Sequence, residues 1–290
     1  MTEKLNSETI KTQQRQQWDR AAKGWRKWWP RFEEVAKHIS NRLIELAEIK
    51  AGQRVLDIAT GIGEPALTAA KKVGPQGRVM ATDQAAEMIA IGRERARESG
   101  FTNLEFKEQD AEGLDFPAQS FDAVLCRWGL MFLPNLKTAL EKMLTVLRPG
   151  GYLAAAIWNK PDKVPWISLP MQTARQVLKL PAPAPGAPGP FSLSETSVLE
   201  TVLRETGFQE IYFEPQTVIW KVSSVGEYLN LLRDVTVPLH ALLADQSKER
   251  QEEVWQAIGK AAEKYRTADG SVAMTNEALC LRGKKPSSRP

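Results

Sequence analysis

Five times between residues 54 and 158, a short apolar run closed by a polar residue or an aromatic gives way to a helical stretch, and this alternation restricts the fold more than any other feature of the chain. The strand-like runs are RVLDIA (54–59), RVMATD (78–83), NLEFKEQD (103–110), FDAVLCRW (121–128) and GYLAAAIW (151–158). Between them, GIGEPALTAAKKV supplies a glycine turn and a helix with Pro65 in its first turn. A second helix runs from Ala85 to a left-handed cap at Gly100, and a third runs from about Asn135 to Leu147, where RPGG forbids continuation. The pattern predicts an α/β fold: a mostly parallel sheet with helices on both faces, and a ligand beyond the carboxyl ends of the strands.

The flanking segments are less regular. Residues 16–29 and 32–49 show helical spacing and read as separate N-terminal helices. PAPAPGAPGP (181–190) is a stiff connection, after which Ser194 is expected to cap a helix that stops at Gly207. IYFEPQTVIWKV (211–222) and SVAMTNEALCLRG (271–283) read as two more strands, with helices over 225–266 between them. The expected organisation is therefore an N-terminal helical cap (1–50), a ligand-binding core (51–160), a Pro-rich connection with a helix and sixth strand (161–223), a helical lid insertion (224–270), and a last strand with a basic tail (271–290).

Apolar and charged fractions of 42% and 26% are those of an ordinary globular protein, which excludes disordered and fibrous classes. The net charge of +4 is spread along the chain, so no nucleic-acid partner is expected. Only Arg282, Lys284, Lys285 and Arg289 cluster, and they are expected to form a frayed, solvated end. Cys126 and Cys280 have no metal-ligand spacing, so neither a metal nor a disulfide framework is expected. With no signal-like apolar run or membrane span, the expected location is the cytoplasm.

The turn Gly61-Ile-Gly63-Glu-Pro-Ala66 with Asp83 about twenty residues on also fits a dinucleotide fingerprint, so an NAD(P)-dependent oxidoreductase is a rival reading. Asp57 at the strand end and Glu64 at the helix start argue against it, since both would repel a diphosphate. A cationic, phosphate-free nucleoside has the opposite requirement.

VLDIATGIGEPA, VMATD, EQDAE, FDAVLCRWGLMFL and LRPGGYL fall in the order of the motifs of class I S-adenosylmethionine-dependent methyltransferases, and resemble most the UbiE-like, quinone-modifying branch. The resemblance covers residues 50–160. It implies a Rossmann-like, seven-stranded sheet, with S-adenosylmethionine as cofactor and S-adenosylhomocysteine as product. It further implies that Asp57, Ala59, Gly61 and Gly63 shape the methionine end of the pocket and that Asp83 accepts the ribose hydroxyls. Gln84 and Met88 would flank the adenine, Asp110 and Ala111 would read its edge, and Cys126 and Arg127 would lie against the methionine. Ala59-Thr60 departs from the pattern, which often has glycine before the first turn glycine.

Displacement at a sulfonium methyl needs alignment and exclusion of water, and a base only where the acceptor is not ionised. Of the two histidines, His240 in the helical insertion is the candidate base, while His38 reads as structural. Trp25, Trp29, Trp128 and Trp158 are expected to line the acceptor site, suiting a small apolar or aromatic molecule. CRWG stands where amino-methylating nucleic-acid enzymes carry an N-P-P-Y-type motif, and no acidic cluster resembles a catechol-type magnesium site. O-methylation is favoured, C-methylation of a quinone or isoprenoid ring comes second, and a non-catalytic cofactor-binding module is a third possibility.

Overall fold

The computed structural model describes residues 7–184 and 186–287. A long helix α1 (Ser7–Leu46) precedes β1 (Arg54–Ile58), α2 (Ala66–Val73), β2 (Arg78–Asp83), α3 (Ala86–Glu98), β3 (Leu104–Glu108), β4 (Phe121–Arg127), α4 (Leu136–Val146) and β5 (Leu147–Trp158). Then come α5 (Pro165–Leu178), α6 (Thr196–Thr206), β6 (Gln209–Val222), α7 (Val225–Val235), α8 (Val237–Leu243), α9 (Lys248–Ala262) and β7 (Val272–Lys284). The seven strands form one sheet in the order β3-β2-β1-β4-β5-β7-β6. β1 to β5 are parallel, and β7 runs antiparallel to both β5 and β6. Chain direction across the sheet therefore switches between β1 and β4, where the connections diverge and open a crevice at the strand ends.

Burial explains the order. Val55, Leu56 and Ile58 of β1, residues 123–126 of β4 and residues 153–157 of β5 are all essentially inaccessible, as expected for central strands covered on both faces. The edge strand β6 instead alternates, exposing Tyr212 and Ile219 while burying Val218 and Trp220.

Four local expectations are corrected by the structure. The two N-terminal helices are one, continuous through Pro30, because Trp25 and Phe32 stack across the proline with ring centroids 4.3 Å apart and hold both sides together. Ser194 does not cap α6: its hydroxyl donates to the Phe191 carbonyl at 2.9 Å, and Glu195 occupies the cap position without a side-chain bond. The basic end is not frayed as far as it is described, since Arg282 and Lys284 belong to β7 and Lys284 pairs with Glu210. Lys285 donates to the carbonyls of Leu144 and Leu147 at 2.7 Å, meeting the negative end of α4. Arg289 lies outside the described residues. Pro65 also shifts by one place, sitting just before the first turn of α2 and not within it.

Candidate active site

A cavity of about 250 Å³ lies at the carboxyl ends of β1 to β5 and is roofed by α1, α5 and the α7–α8 junction. One half is built on the glycine turn. Asp57, fully buried at the end of β1, accepts the Thr60 hydroxyl at 2.6 Å and the Ala66 amide at 3.0 Å through the same oxygen. That amide opens α2, so a carboxylate of the chain itself already occupies the anion-attracting end of the helix. Gly63 and Glu64 donate their amides to Thr60, and Gly61 donates to Asp83 at 2.8 Å. A diphosphate would find this cradle already taken. Gly61 adopts φ +56°, and a Cβ there would meet no protein atom within 4 Å, so it would stand in the open space of the cavity.

Asp83 ends β2, and each of its carboxylate oxygens accepts one backbone amide, from Gly61 and from Ala85. Lone pairs remain on both oxygens, which is what a vicinal diol requires. Burial raises the Asp83 carboxyl above its ordinary range, with the two amides opposing. At the end of β3, Asp110 begins a single helical turn, Ala111–Gly113, and its outer oxygen meets Lys11 of α1 at 2.7 Å. Lys11 also reaches the buried Glu112 at 2.6 Å, so it pins the start of α1 over this half of the cavity.

The middle of the wall carries opposed charges. Glu64 and Arg95, both buried, approach to 4.0 Å, while Arg95 donates to the Ile62 carbonyl and lies over the Trp29 ring. Burial raises Glu64, and Glu33 of α1 adds to the effect; burial lowers Arg95. Arg127, at the end of β4, donates to the Ser40 hydroxyl at 2.7 Å and projects over the Trp128 ring.

The other half is aromatic. Three stacked pairs line it: Trp25 with Phe32, Trp128 with Trp158 at 4.5 Å, and Trp166 with Trp220 at 4.6 Å. Trp128 holds φ +60° and Ala59 φ +53°, conformations that cost free energy in residues with a side chain. They sit on neighbouring strand ends, and Gly129 fits between them with no room for a Cβ.

Most of the residues expected from sequence meet in this cavity: Trp25, Trp29, Ala59, Gly61, Asp83, Gln84, Met88, Asp110, Ala111, Arg127, Trp128 and Trp158. Asp57, Gly63 and Cys126 do not reach the wall. They support it from beneath, Gly63 against Leu67 and Phe106, and Cys126 as a buried thiol pushed up to about 12 by desolvation. The candidate base His240 does not line the cavity, although its neighbours Thr236 and Pro238 do: it turns to the Arg233 backbone beside Asp234, and burial lowers its pKa. His38 bonds the Thr217 carbonyl at 2.9 Å on β6, in the structural role expected. Sequence reasoning missed Lys11, Glu33, Arg95, Trp166 and Trp220. Only Arg95 carried a readable signal, since it follows Met88 and Ile91 on one helical face.

Residues 49–179 match a protein family whose model is described as a methyltransferase domain. This segment, less than half of the chain, is similar to methyltransferase domains. Over 119 residues, 41% of this chain, it is 42% identical to the UbiE ubiquinone/menaquinone biosynthesis C-methyltransferase of Pseudomonas fluorescens. The match spans 46% of that protein, so the chain covers less than half the length of the curated relatives it resembles. The fold is similar to that of the YcgJ protein from Bacillus subtilis, with a TM-score of 0.58 and 19% identity over 87% of this chain and 100% of the other. It is also similar to phosphoethanolamine N-methyltransferase 2 of Haemonchus contortus, solved with S-adenosyl-L-methionine, with a TM-score of 0.53 and 20% identity over 84% of this chain and 51% of the other. The sheet is thus of the Rossmann-like class I methyltransferase type expected from the motifs. Among the described residues, no helix is long and apolar enough to cross a membrane.

Proposed function

We propose that this chain binds S-adenosylmethionine and transfers its methyl group to a small, planar, largely apolar acceptor. The observation that carries this reading is one continuous cavity, which joins an acid-bearing glycine turn with its amides occupied to three stacked aromatic pairs. The donor half suits a nucleoside that is positively charged and lacks phosphate. Asp83 would take both ribose hydroxyls, Gln84 and Met88 would flank the adenine, and Asp110 with the Ala111 amide would read its edge once Lys11 shares or releases the Asp110 oxygen. The unpartnered buried oxygen of Asp57 lies beneath the turn, where the field of the cofactor ammonium would favour its ionised form.

Bound there, the cofactor supplies an electrophilic methyl carbon on a sulfonium. The chain contributes alignment and dryness: Trp25 and Trp29 of α1 close over the turn, and the stacked rings hold a flat acceptor on the opposite side. O-methylation is the leading reaction. C-methylation of an activated ring is the second reading, favoured by the UbiE relatives, which are named as C-methyltransferases. Free, buried Cys126 and Cys280 suit a reducing cytoplasm.

Calorimetry with S-adenosylhomocysteine and with NAD tests the donor half. Binding of the first and not the second is expected, and the reverse result would remove the methyl-transfer reading. Turnover of a phenol and quinol panel against a panel of polar amines then tests the acceptor half. Activity on amines alone would overturn the planar-ring assignment, and cofactor binding with no turnover would favour a non-catalytic module.

A further inference from the structure

Arg127 and Arg95 share the cavity wall but differ in their partners. Arg95 is satisfied by Glu64 and by the Ile62 carbonyl. Arg127 makes one bond, to the buried Ser40 hydroxyl, and no carboxylate reaches it at ion-pair distance among the described residues. The other charges that face it are engaged or remote. Asp57 is held by Thr60 and Ala66, and Glu64 by Thr68 and Arg95, both acting on Arg127 only through space. Glu33 on α1 lies on the same wall without contacting it.

A half-buried guanidinium lacking a counterion favours an anion. Which anion follows from its neighbours. The indole nitrogens of Trp25, Trp128 and Trp220 are buried donors without an acceptor, and all three side chains line the aromatic half. Unpaired buried donors are rare, and several at one cavity call for an oxygen-bearing occupant. The six stacked rings offer no strong acceptor of their own.

We propose that Arg127 holds an acidic oxygen of the acceptor, a ring phenol or enol, in its anionic form beside the donor methyl. This rests on the methyl-transfer reading. Among the described residues no histidine lines the wall, and in this scheme the phenolic proton passes to solvent as the acceptor binds. An electron pair of the resulting anion, on oxygen or on the ring carbon it activates, forms the new bond to the methyl carbon. The carbon–sulfur bond breaks with its pair going to sulfur, and the sulfonium becomes a neutral thioether. Where carbon is methylated, the ring then loses one proton to regain its aromatic form.

The test follows the ionisation of bound 4-nitrophenol by absorbance, with and without saturating S-adenosylhomocysteine. In the wild-type protein the bound probe should ionise at a pH about one below that of the free probe, a tenfold preference for the anion. Arg127→Gln should abolish the difference and Arg127→Lys should keep part of it, while affinity for S-adenosylhomocysteine, whose methionine Arg127 is expected to meet through its backbone carbonyl and not its side chain, stays within about twofold in both. A probe that does not bind, or ionises as it does in water, overturns the proposal. So does Arg127→Gln that leaves the probe unchanged but loses S-adenosylhomocysteine, which would assign Arg127 to the cofactor carboxylate instead. Failure of the wild type to bind S-adenosylhomocysteine would strike the methyl-transfer reading alone, since the probe titration without it still reports on Arg127.

Discussion

Asp57 accepts the backbone amide of Ala66 at 3.0 Å through the same oxygen that takes the Thr60 hydroxyl, and its other oxygen is buried with no partner. The carboxyl therefore caps α2 while remaining poorly solvated, and burial pushes its pKa from 3.8 up to about 7. Between those values the folded chain binds more protons at this site than the unfolded chain. Its contribution to stability is full below pH 3.8 and is lost as the pH rises through about 7. The loss is a few kcal/mol, on the order of 1.4 for each pH interval of one. Urea unfolding from about pH 5 to pH 8 should show this fall, and Asp57→Asn should remove it. The cofactor ammonium, which S-adenosylhomocysteine retains although its sulfur is neutral, favours the ionised carboxylate, so S-adenosylhomocysteine should bind more tightly and release protons as the pH approaches 7 from below. Equal slopes in wild type and variant would remove Asp57 as the cause.

Asp83 holds the Gly61 and Ala85 amides and would hold the ribose through its remaining lone pairs. Asp83→Ala should weaken S-adenosylhomocysteine by about 1 to 3 kcal/mol through loss of charged hydrogen bonds. It should also lower stability by up to roughly the same amount, because two part-buried amides lose their acceptor. Calorimetry and urea unfolding separate the two effects. Unchanged affinity in a destabilised variant would leave Asp83 as a helix cap only.

His240 is half-buried, bonded toward the Arg233 backbone and absent from the cavity wall. His240→Gln should accordingly keep turnover within about twofold on any phenol that the wild type methylates. A drop of a hundredfold with intact cofactor affinity would return it to the chemistry.

That the residues around the glycine turn share one cavity was legible because they end successive strands, where local periodicity and position in the sheet coincide. Asp83 and Asp110 could be found by reading to the end of each apolar run. What could not be read depends on elements meeting across the fold. Trp166 and Trp220 belong to α5 and β6, and only the closed sheet stacks them. Residues 16–29 and 32–49 read as two helices, yet one helix continues through Pro30 because Trp25 and Phe32 pack together across it. His240 was chosen for its residue type and its segment. Which face of a seven-residue helix meets the cavity is settled by neighbours that periodicity over two turns does not identify.

Gly129 is the point where the departure at Ala59 is accommodated. A Cβ on Gly129 would come within 2.6 Å of the Ala59 Cβ and 2.7 Å of the Cys126 sulfur, although its own φ of −100° suits any residue. Gly129→Ala should therefore cost about 1 to 3 kcal/mol through overpacking alone. Ala59→Gly relieves a left-handed conformation while loosening the unfolded chain, and should change stability by less than about 1 kcal/mol. Combined, the two changes should be less harmful than their sum by about 1 kcal/mol, because the first removes one of the two clashes made by the second. The Cys126 contact remains, so recovery is partial. Urea unfolding of the wild type and three variants measures the coupling, and strictly additive costs would mean that the ends of β1 and β4 do not meet at this pair. Because Ala59 lines the cavity, the single Gly129→Ala variant should also lose affinity for S-adenosylhomocysteine, and Ala59→Gly should restore part of it.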